Sequence, residues 1–264
     1  MTPSPMIKVM SFNIRYGLAA DGENHWDKRK SLAIARIHAF APDLLGLQEC
    51  RDDTQAEFIK TNLPAYHFYG VRREGGGETA LEMAPLLLRQ SIFQIIQKGH
   101  FWLSETPQIA GSKSWGSNFP RTVTWARLVH RPTGRLVTFV NTHFDYEPTA
   151  IDGNAHCLQD WLNQVGSESA LIVTGDFNTD KDSTAYHFLT SHGALSDAFR
   201  HIQPEAVNAT TFHDFGRSEE NMPIDWVLVS DHFKVADARV DRWHEGNLFP
   251  SDHYPVTAVL EWKE

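Results

Sequence analysis

The chain has 264 residues, 41% of them hydrophobic and 22% charged, which is enough for a large globular core and excludes the disordered, fibrous and miniature classes. Its 24 Lys and Arg stand against 33 Asp and Glu, a formal charge of -9, so the surface on average repels polyanions and a basic nucleic-acid-binding module is disfavoured. Cys50 and Cys157 have no CxxC partners, which excludes a disulfide framework or zinc ribbon and suits a reducing compartment.

Met1 to Met6 show no basic start leading into an apolar run, and no stretch approaches the ~20 apolar residues of a membrane span. A soluble cytoplasmic protein making no membrane contact is expected. Ile7 to Ile14 is apolar at most positions, as in a strand buried on both faces. From Trp26, the residues Ala33, Ile37 and Phe40 recur at helical spacing opposite Lys28, Arg29, Lys30 and Arg36, and Pro42 ends that helix. Leu44 to Leu47 then completes a strand, helix, strand unit. The glycines Gly75, Gly76 and Gly77 predict a mobile loop rather than a phosphate cradle, because no Lys-Ser/Thr follows them and no helix is expected to open there. Four strands are predicted next, Pro85 to Leu88, Ile92 to Leu103, Thr122 to His130 and Leu136 to His143, with a turn at Pro132-Thr133-Gly134 and an antiparallel arrangement. A helix from Ala150 to Val165, a strand from Ala170 to Thr174, a helix from Ser183 to Ser191 before Gly193, and strands Ile224 to Val229 and Val256 to Trp262 complete the reading. No linker breaks the pattern, so residues 1–264 are read as a single domain, α/β in class, with two sheets packed face to face and helices outside.

Polar residues stand where these strands end: Asn13, Glu49, His143, Asp176 with Asn178, Asp225, and Asp252 with His253. Each has an ordinary explanation alone: a turn cap, a strand emerging into water, a core histidine, Asx turns, a loop. Asp225 fits these explanations least, because a carboxylate between Ile224 and Trp226 needs a partner when buried. Those explanations serve each residue singly and fail for the set, because the ends of so many strands converge on carboxylate, amide and imidazole. Asp176 and Asn178 are two apart, which on an extended backbone turns both side chains to one side. Carboxylate and amide oxygens suit Mg2+ or Mn2+, and no thiol falls in the set.

Six segments carry a family resemblance: Phe12-Asn13-Ile14-Arg15, Leu47-Gln48-Glu49, Asn141-Thr142-His143-Phe144-Asp145, Gly175-Asp176-Phe177-Asn178, Ile224-Asp225-Trp226, and Ser251-Asp252-His253-Tyr254-Pro255-Val256. In this order they resemble the endonuclease, exonuclease and phosphatase superfamily, metal-dependent phosphoesterases similar to deoxyribonuclease I. Segments Trp26 to Lys30, Phe101 to Pro107 and Pro120 to Ala126 resemble a compact bacterial branch. The resemblance implies a four-layer sandwich, two mixed, mostly antiparallel sheets between helices, with the site at one rim.

It further implies that Glu49, Asn13 and Asp252 hold the principal metal, and that Asp176 and Asn178 orient the water, the phosphate or a second metal. Asp225 is expected to bond one ring nitrogen of His253, and His143 to face a non-bridging oxygen or the leaving group. Either His253 or Asp176 takes the proton of the water. Arg121 is the best further substrate contact, because its guanidinium matches phosphate; Glu82 and Asp145 are further candidates, and Asp145 and Arg29 are both read as orienting their neighbours. Glu82 keeps an acid that similar proteins carry on this strand, whereas their aromatic residues are missing from Leu81 to Leu88. Trp102, Trp115 and Trp226 are read as packing residues. The expected substrate is a small soluble phosphodiester. A nuclease is the first alternative, followed by a sphingomyelinase-like lipid enzyme and a binding protein with a dead site.

Overall fold

A computed structural model describes residues 5–166, 168–191, 195–203 and 209–264. Side chains of a strand alternate between two faces, and this alternation divides the core into three buried groups. In β1 (Ile7–Asn13), Ile7 and Val9 join the group between the sheets, while Met10 and Phe12 join a second group beneath helices. That second group includes residues of α1 (Trp26–Phe40) and α2 (Thr54–Asn62), together with Leu45 and Leu47 of β2 (Leu44–Gln48). Helix α1 stops where Ala41 turns left-handed, at φ 52°, just ahead of Pro42.

The remaining elements follow in order. β3 (Cys50–Arg51) pairs with β5 (Glu82–Met83) as a two-stranded ribbon beside the main sheets. Next come β4 (Tyr66–Tyr69), β6 (Leu86–Arg89), β7 (Phe93–Trp102), β8 (Thr122–His130), β9 (Leu136–His143), α3 (Pro148–Leu162), β10 (Ala170–Asp176), α4 (Thr184–Ser191), β11 (Leu195–Asp197), α5 (Ala198–Ile202), β12 (Asp225–Ser230), β13 (Phe233–Val240) and β14 (Val256–Trp262). They form two six-stranded sheets, in the order β13-β14-β1-β2-β6-β4 and the order β11-β12-β10-β9-β8-β7. The third apolar group lies under α3 and α4, on the outer face of the second sheet. Helix, sheet, sheet and helix layers make the expected four-layer sandwich.

Each sheet contains one parallel pair, β1 with β2 across α1 and β9 with β10 across α3; its other pairs are antiparallel. A strand, helix, strand crossover produces such a pair. The two pairs face each other across the sandwich, and all four of their strands run toward the same rim, which is where a ligand site forms in such sheets.

Several expectations are corrected. A single 3-10 turn, Glu78–Leu81, opens directly after Gly77, where no helix was expected. Helix α3 starts earlier, with Pro148 in its first turn, and ends at Leu162 rather than Val165. Gly193, read as the stop of α4, lies outside the described residues. β13 was not foreseen because a bulge between Val235 and Asp237 switches its buried positions from 233 and 235 to 238, which breaks the period of two. No described helix is long and apolar enough to cross a membrane.

Candidate active site

The strand alternation also builds the site. Along β1 the residues facing the other sheet are Ile7, Val9, Ser11 and Asn13; along β10 they are Ala170, Ile172, Thr174 and Asp176; along β9 they are Val137, Phe139, Asn141 and His143. Each series starts apolar and ends polar, so the gap between the sheets is dry at one end and hydrogen-bonded at the other. Asn141 ties the layers together. Its Nδ2 donates to the Leu47 carbonyl at 2.7 Å and the Pro85 carbonyl at 3.2 Å, and its Oδ1 accepts from Gln48 Nε2 at 2.7 Å and Thr174 Oγ1 at 2.9 Å. The sheets approach so closely here that a Cβ on Gly46 would lie 2.2 Å from Thr174 Oγ1.

Above this floor the carboxylates meet. The Nδ2 of Asn13 donates to Glu49 Oε1 at 3.0 Å and to Asp176 Oδ2 at 2.9 Å, joining one acid from each sheet. Asn13 Oδ1 meanwhile accepts from the Arg15 amide at 2.9 Å, so Asn13 turns its nitrogen, not the oxygen expected of a metal ligand, toward the acids. Glu49 sits at φ 58°, a left-handed conformation uncommon for a side-chain-bearing residue. Its Oε2 accepts from the Tyr16 amide at 3.0 Å. Asn178 is also left-handed, at φ 51°. The extended-backbone argument for it therefore fails. It reaches the site instead because its amide N–H donates to Asp176 Oδ1 at 3.0 Å and its Nδ2 to the Phe144 carbonyl at 2.9 Å.

His253 Nδ1 lies 2.8 Å from Asp225 Oδ2, the contact expected from the sequence, and His253 Nε2 lies 3.8 Å from Asp176 Oδ2. His143 Nε2 approaches the same Asp176 oxygen at 3.5 Å. Burial opposes a charge on His253, but Asp225 and Asp176 outweigh it and raise its pKa to about 10. Burial and neighbouring Asp225 push the Asp176 carboxyl up to about 7. Burial likewise raises Asp252, and burial with Arg121 and Arg73 holds His143 well below the ordinary histidine range.

Loops bring in the rest. Arg29, fully buried, donates to the carbonyls of Ile14, Arg15, Asn24 and Pro250 at 2.7 to 3.2 Å. It thereby fastens the segment after Asn13 to the one before Asp252, which is the orienting role read from the sequence. Arg15 lies 3.6 Å from Asp252 Oδ2 and 3.2 Å from Asp21.

A cleft of about 450 Å³ opens over these groups, lined by Glu49, Asp176, Asn178, His143, Asp252, His253, Arg121 and Glu82 among the expected residues. Asp145 does not reach it. Fully buried, it accepts from the Phe119 amide at 3.1 Å, Asn118 Nδ2 at 3.1 Å and Arg121 Nε at 3.4 Å, so it orients its neighbours from behind the wall, as read from the sequence, and only its place among the substrate contacts is corrected. Asn13 and Asp225 also stand behind the lining. The cleft wall includes residues sequence reasoning missed as contacts, Arg15, Tyr16, Arg73, Phe119, Tyr146, Phe212 and Met222. Arg15 lay inside a quoted segment; the others sit on loops without a periodic signal. The three tryptophans stay out of the lining: Trp226 stacks on Phe177 at 4.2 Å, and Trp102 Nε1 donates to the Arg73 carbonyl at 2.7 Å. A hollow of about 720 Å³ near Leu136 and Lys263, at the other end of the strands, contains none of these residues.

The donor set fits a hard divalent cation. One ligand atom each from Glu49, Asp176 and His253 lie within 4.8 Å of one another, and Asp252 adds a further carboxylate to the cleft. Buried carboxylates pushed upward, as Asp176 and Asp252 are, lack positive charge that a cation supplies. Cys50, next to Glu49, packs instead into the core beneath α1 and α2.

Residues 10–253 match the Endonuclease/Exonuclease/phosphatase family. An endonuclease/exonuclease/phosphatase structure from Bacteroides vulgatus superposes with a TM-score of 0.88 at 31% identity, covering 98% of this chain and 100% of that one. A mannosyl-6-phosphatase of Bacteroides thetaiotaomicron superposes with a TM-score of 0.87 at 30% identity, covering 97% and 100%. Rat nocturnin is 24% identical over 286 residues, which span 95% of this chain and 63% of nocturnin. With its fold, its rim of strand-end acids and a match across nearly its whole length, the chain belongs to the Endonuclease/Exonuclease/phosphatase family of phosphoester hydrolases.

Proposed function

We propose that this chain is one catalytic domain, a Mg2+- or Mn2+-dependent hydrolase of a small soluble phosphate ester, acting by in-line attack of water. The observation that carries the reading is the convergence of Glu49, Asp176, Asn178, Asp252, His143 and His253 on one cleft of about 450 Å³, a size suited to a small molecule. Glu49, Asp176 and Asp252 would hold the cation, with Asn13 orienting the first two. The cation supplies charge neutralisation at the phosphoryl oxygens and lowers the pKa of bound water. Asp225 fixes the His253 ring through Nδ1, leaving Nε2 to face Asp176, and this pair handles the proton of the attacking water. Asn178 orients the water or the phosphoryl group, and His143 faces a non-bridging oxygen or the leaving group. Arg121 and Glu82 meet the remainder of the substrate.

The diester expected from the sequence has no geometric support beyond the shared chemistry. The mannosyl-6-phosphatase at 30% identity favours a monoester on a sugar, whereas a CCR4-Not complex 3'-5'-exoribonuclease subunit of Candida albicans, 22% identical over 90% of this chain, keeps a nucleic-acid substrate in view. The test is turnover of p-nitrophenyl phosphate and bis(p-nitrophenyl) phosphate with Mg2+, Mn2+ or EDTA. Cation-dependent release from either ester supports the reading; no release from either, or full release in EDTA, refutes it.

A further inference from the structure

We propose that the cleft selects a phosphate ester with an uncharged, hydroxyl-rich leaving group, a sugar or polyol phosphate, and that Phe119 with its two flanking arginine–carboxylate pairs makes the selection. The inference rests on the phosphate-ester reading of the same site. Three arginines line the cleft, and each is already matched: Arg15 by Asp21 at 3.2 Å and Asp252 at 3.6 Å, Arg73 by Glu82 at 2.9 Å, and Arg121 by Asp145 at 3.4 Å. No lysine stands in the lining. A polynucleotide backbone or a second phosphate needs cations in excess, and none of these three guanidinium charges is in excess. What the wall presents instead are the guanidinium N–H groups of Arg73 and Arg121 and, beside Arg73, the carboxylate oxygens of Glu82, while Asp145 balances Arg121 from behind the wall. A sugar hydroxyl both donates and accepts, so neighbouring hydroxyls match such a pair with no net charge.

The wall is built around one ring. The Arg73 guanidinium lies 4.5 Å and that of Arg121 5.6 Å from the Phe119 ring centre, and Tyr146, 54% exposed, meets Phe119 edge-on at 6.3 Å. Asp145 holds the Phe119 amide, the Asn118 side chain and Arg121 together, while Trp102 Nε1 and the Thr79 carbonyl hold Arg73. Aromatic carbon next to planar polar groups offers a sugar ring an apolar face and directional partners at once.

The test is kcat and KM with Mg2+ for a hexose 6-phosphate, the 1,6-bisphosphate of that hexose, a dinucleotide and p-nitrophenyl phosphate. The hexose 6-phosphate is expected to exceed the bisphosphate and the dinucleotide in kcat/KM by about tenfold or more. Phe119→Leu, which keeps apolar bulk without the ring, is expected to raise KM for the hexose phosphate by about tenfold while moving KM for p-nitrophenyl phosphate by a smaller factor. Glu82→Gln releases the charge of Arg73 and is expected to shift preference toward the bisphosphate by about tenfold, a gain that mere loss of structure does not produce. Preference of the wild type for the bisphosphate or dinucleotide, or equal KM changes for both esters in Phe119→Leu, overturns the inference while p-nitrophenyl phosphate turnover keeps the phosphate-ester reading. Absence of turnover on every ester removes both.

Discussion

Replacing Asn141 with Asp keeps the shape of the side chain that joins the two sheets and changes one nitrogen to oxygen. In the native arrangement that nitrogen donates to the carbonyls of Leu47 at 2.7 Å and Pro85 at 3.2 Å. A carboxylate there would face two acceptors in a site with no solvent exposure, so the folded variant keeps the acid protonated and loses one of two donated bonds, about 1 kcal/mol. Holding the proton has a further cost that grows with pH. The unfolded chain releases it above about pH 3.9, the folded chain retains it, and the folded-state pKa is therefore the raised one. Stability is lost as pH rises, at about 1.4 kcal/mol per unit, or about 2.7 kcal/mol between pH 5.5 and 7.5. Urea unfolding of wild type and variant at both pH values measures this directly as the change in their difference. An Asn141→Leu control removes all four bonds without adding a titrating group and should show a larger but pH-independent loss. A wild-type-minus-variant difference that moves by less than about 0.5 kcal/mol over this range would refute the assigned amide orientation and the water-free joint.

Exhaustive chelation is expected to abolish phosphate-ester turnover and Mg2+ or Mn2+ to restore it, and Glu49→Gln should weaken cation binding in calorimetry while leaving the thermal unfolding of the chelated protein close to wild type. His253→Ala and Asp176→Asn should each lower kcat by about 100-fold or more, and normal rates in either would remove that residue from the site. Asp225→Asn should reproduce part of the His253 loss, because Asp225 acts through the ring it bonds at 2.8 Å; strictly additive losses in the double variant would contradict that coupling. Arg29→Met leaves four carbonyls without their donor and should destabilise the fold by about 3 to 4 kcal/mol in denaturant titration, where a loss below about 1 kcal/mol would count against its role as a fastener.

Local periodicity and strand-end chemistry made much of the molecule readable in one dimension. The apolar runs at Ile7, Leu44 and Ala170 could be assigned to strands because burial on both faces leaves few polar positions, and the acids after them stood out because nothing in a strand calls for them. The family resemblance added the four-layer arrangement and the roles of residues far apart in the chain. Strand parity places Asn13 and Asp176 each on a definite face, but it is silent about which sheet that face meets, and their 2.9 Å contact spans 163 positions. The same holds for Asn141, whose four bonds reach two other strands and one loop. Phe119 and Arg73 lie in loops, where no period marks an inward side chain, and Asp145 belongs to a recognisable segment yet turns away from the cleft to hold Phe119. Which polar residues face the substrate and which stand behind them is fixed by sheet packing and loop hydrogen bonds, interactions whose partners lie tens to hundreds of residues apart and leave no local trace in the chain.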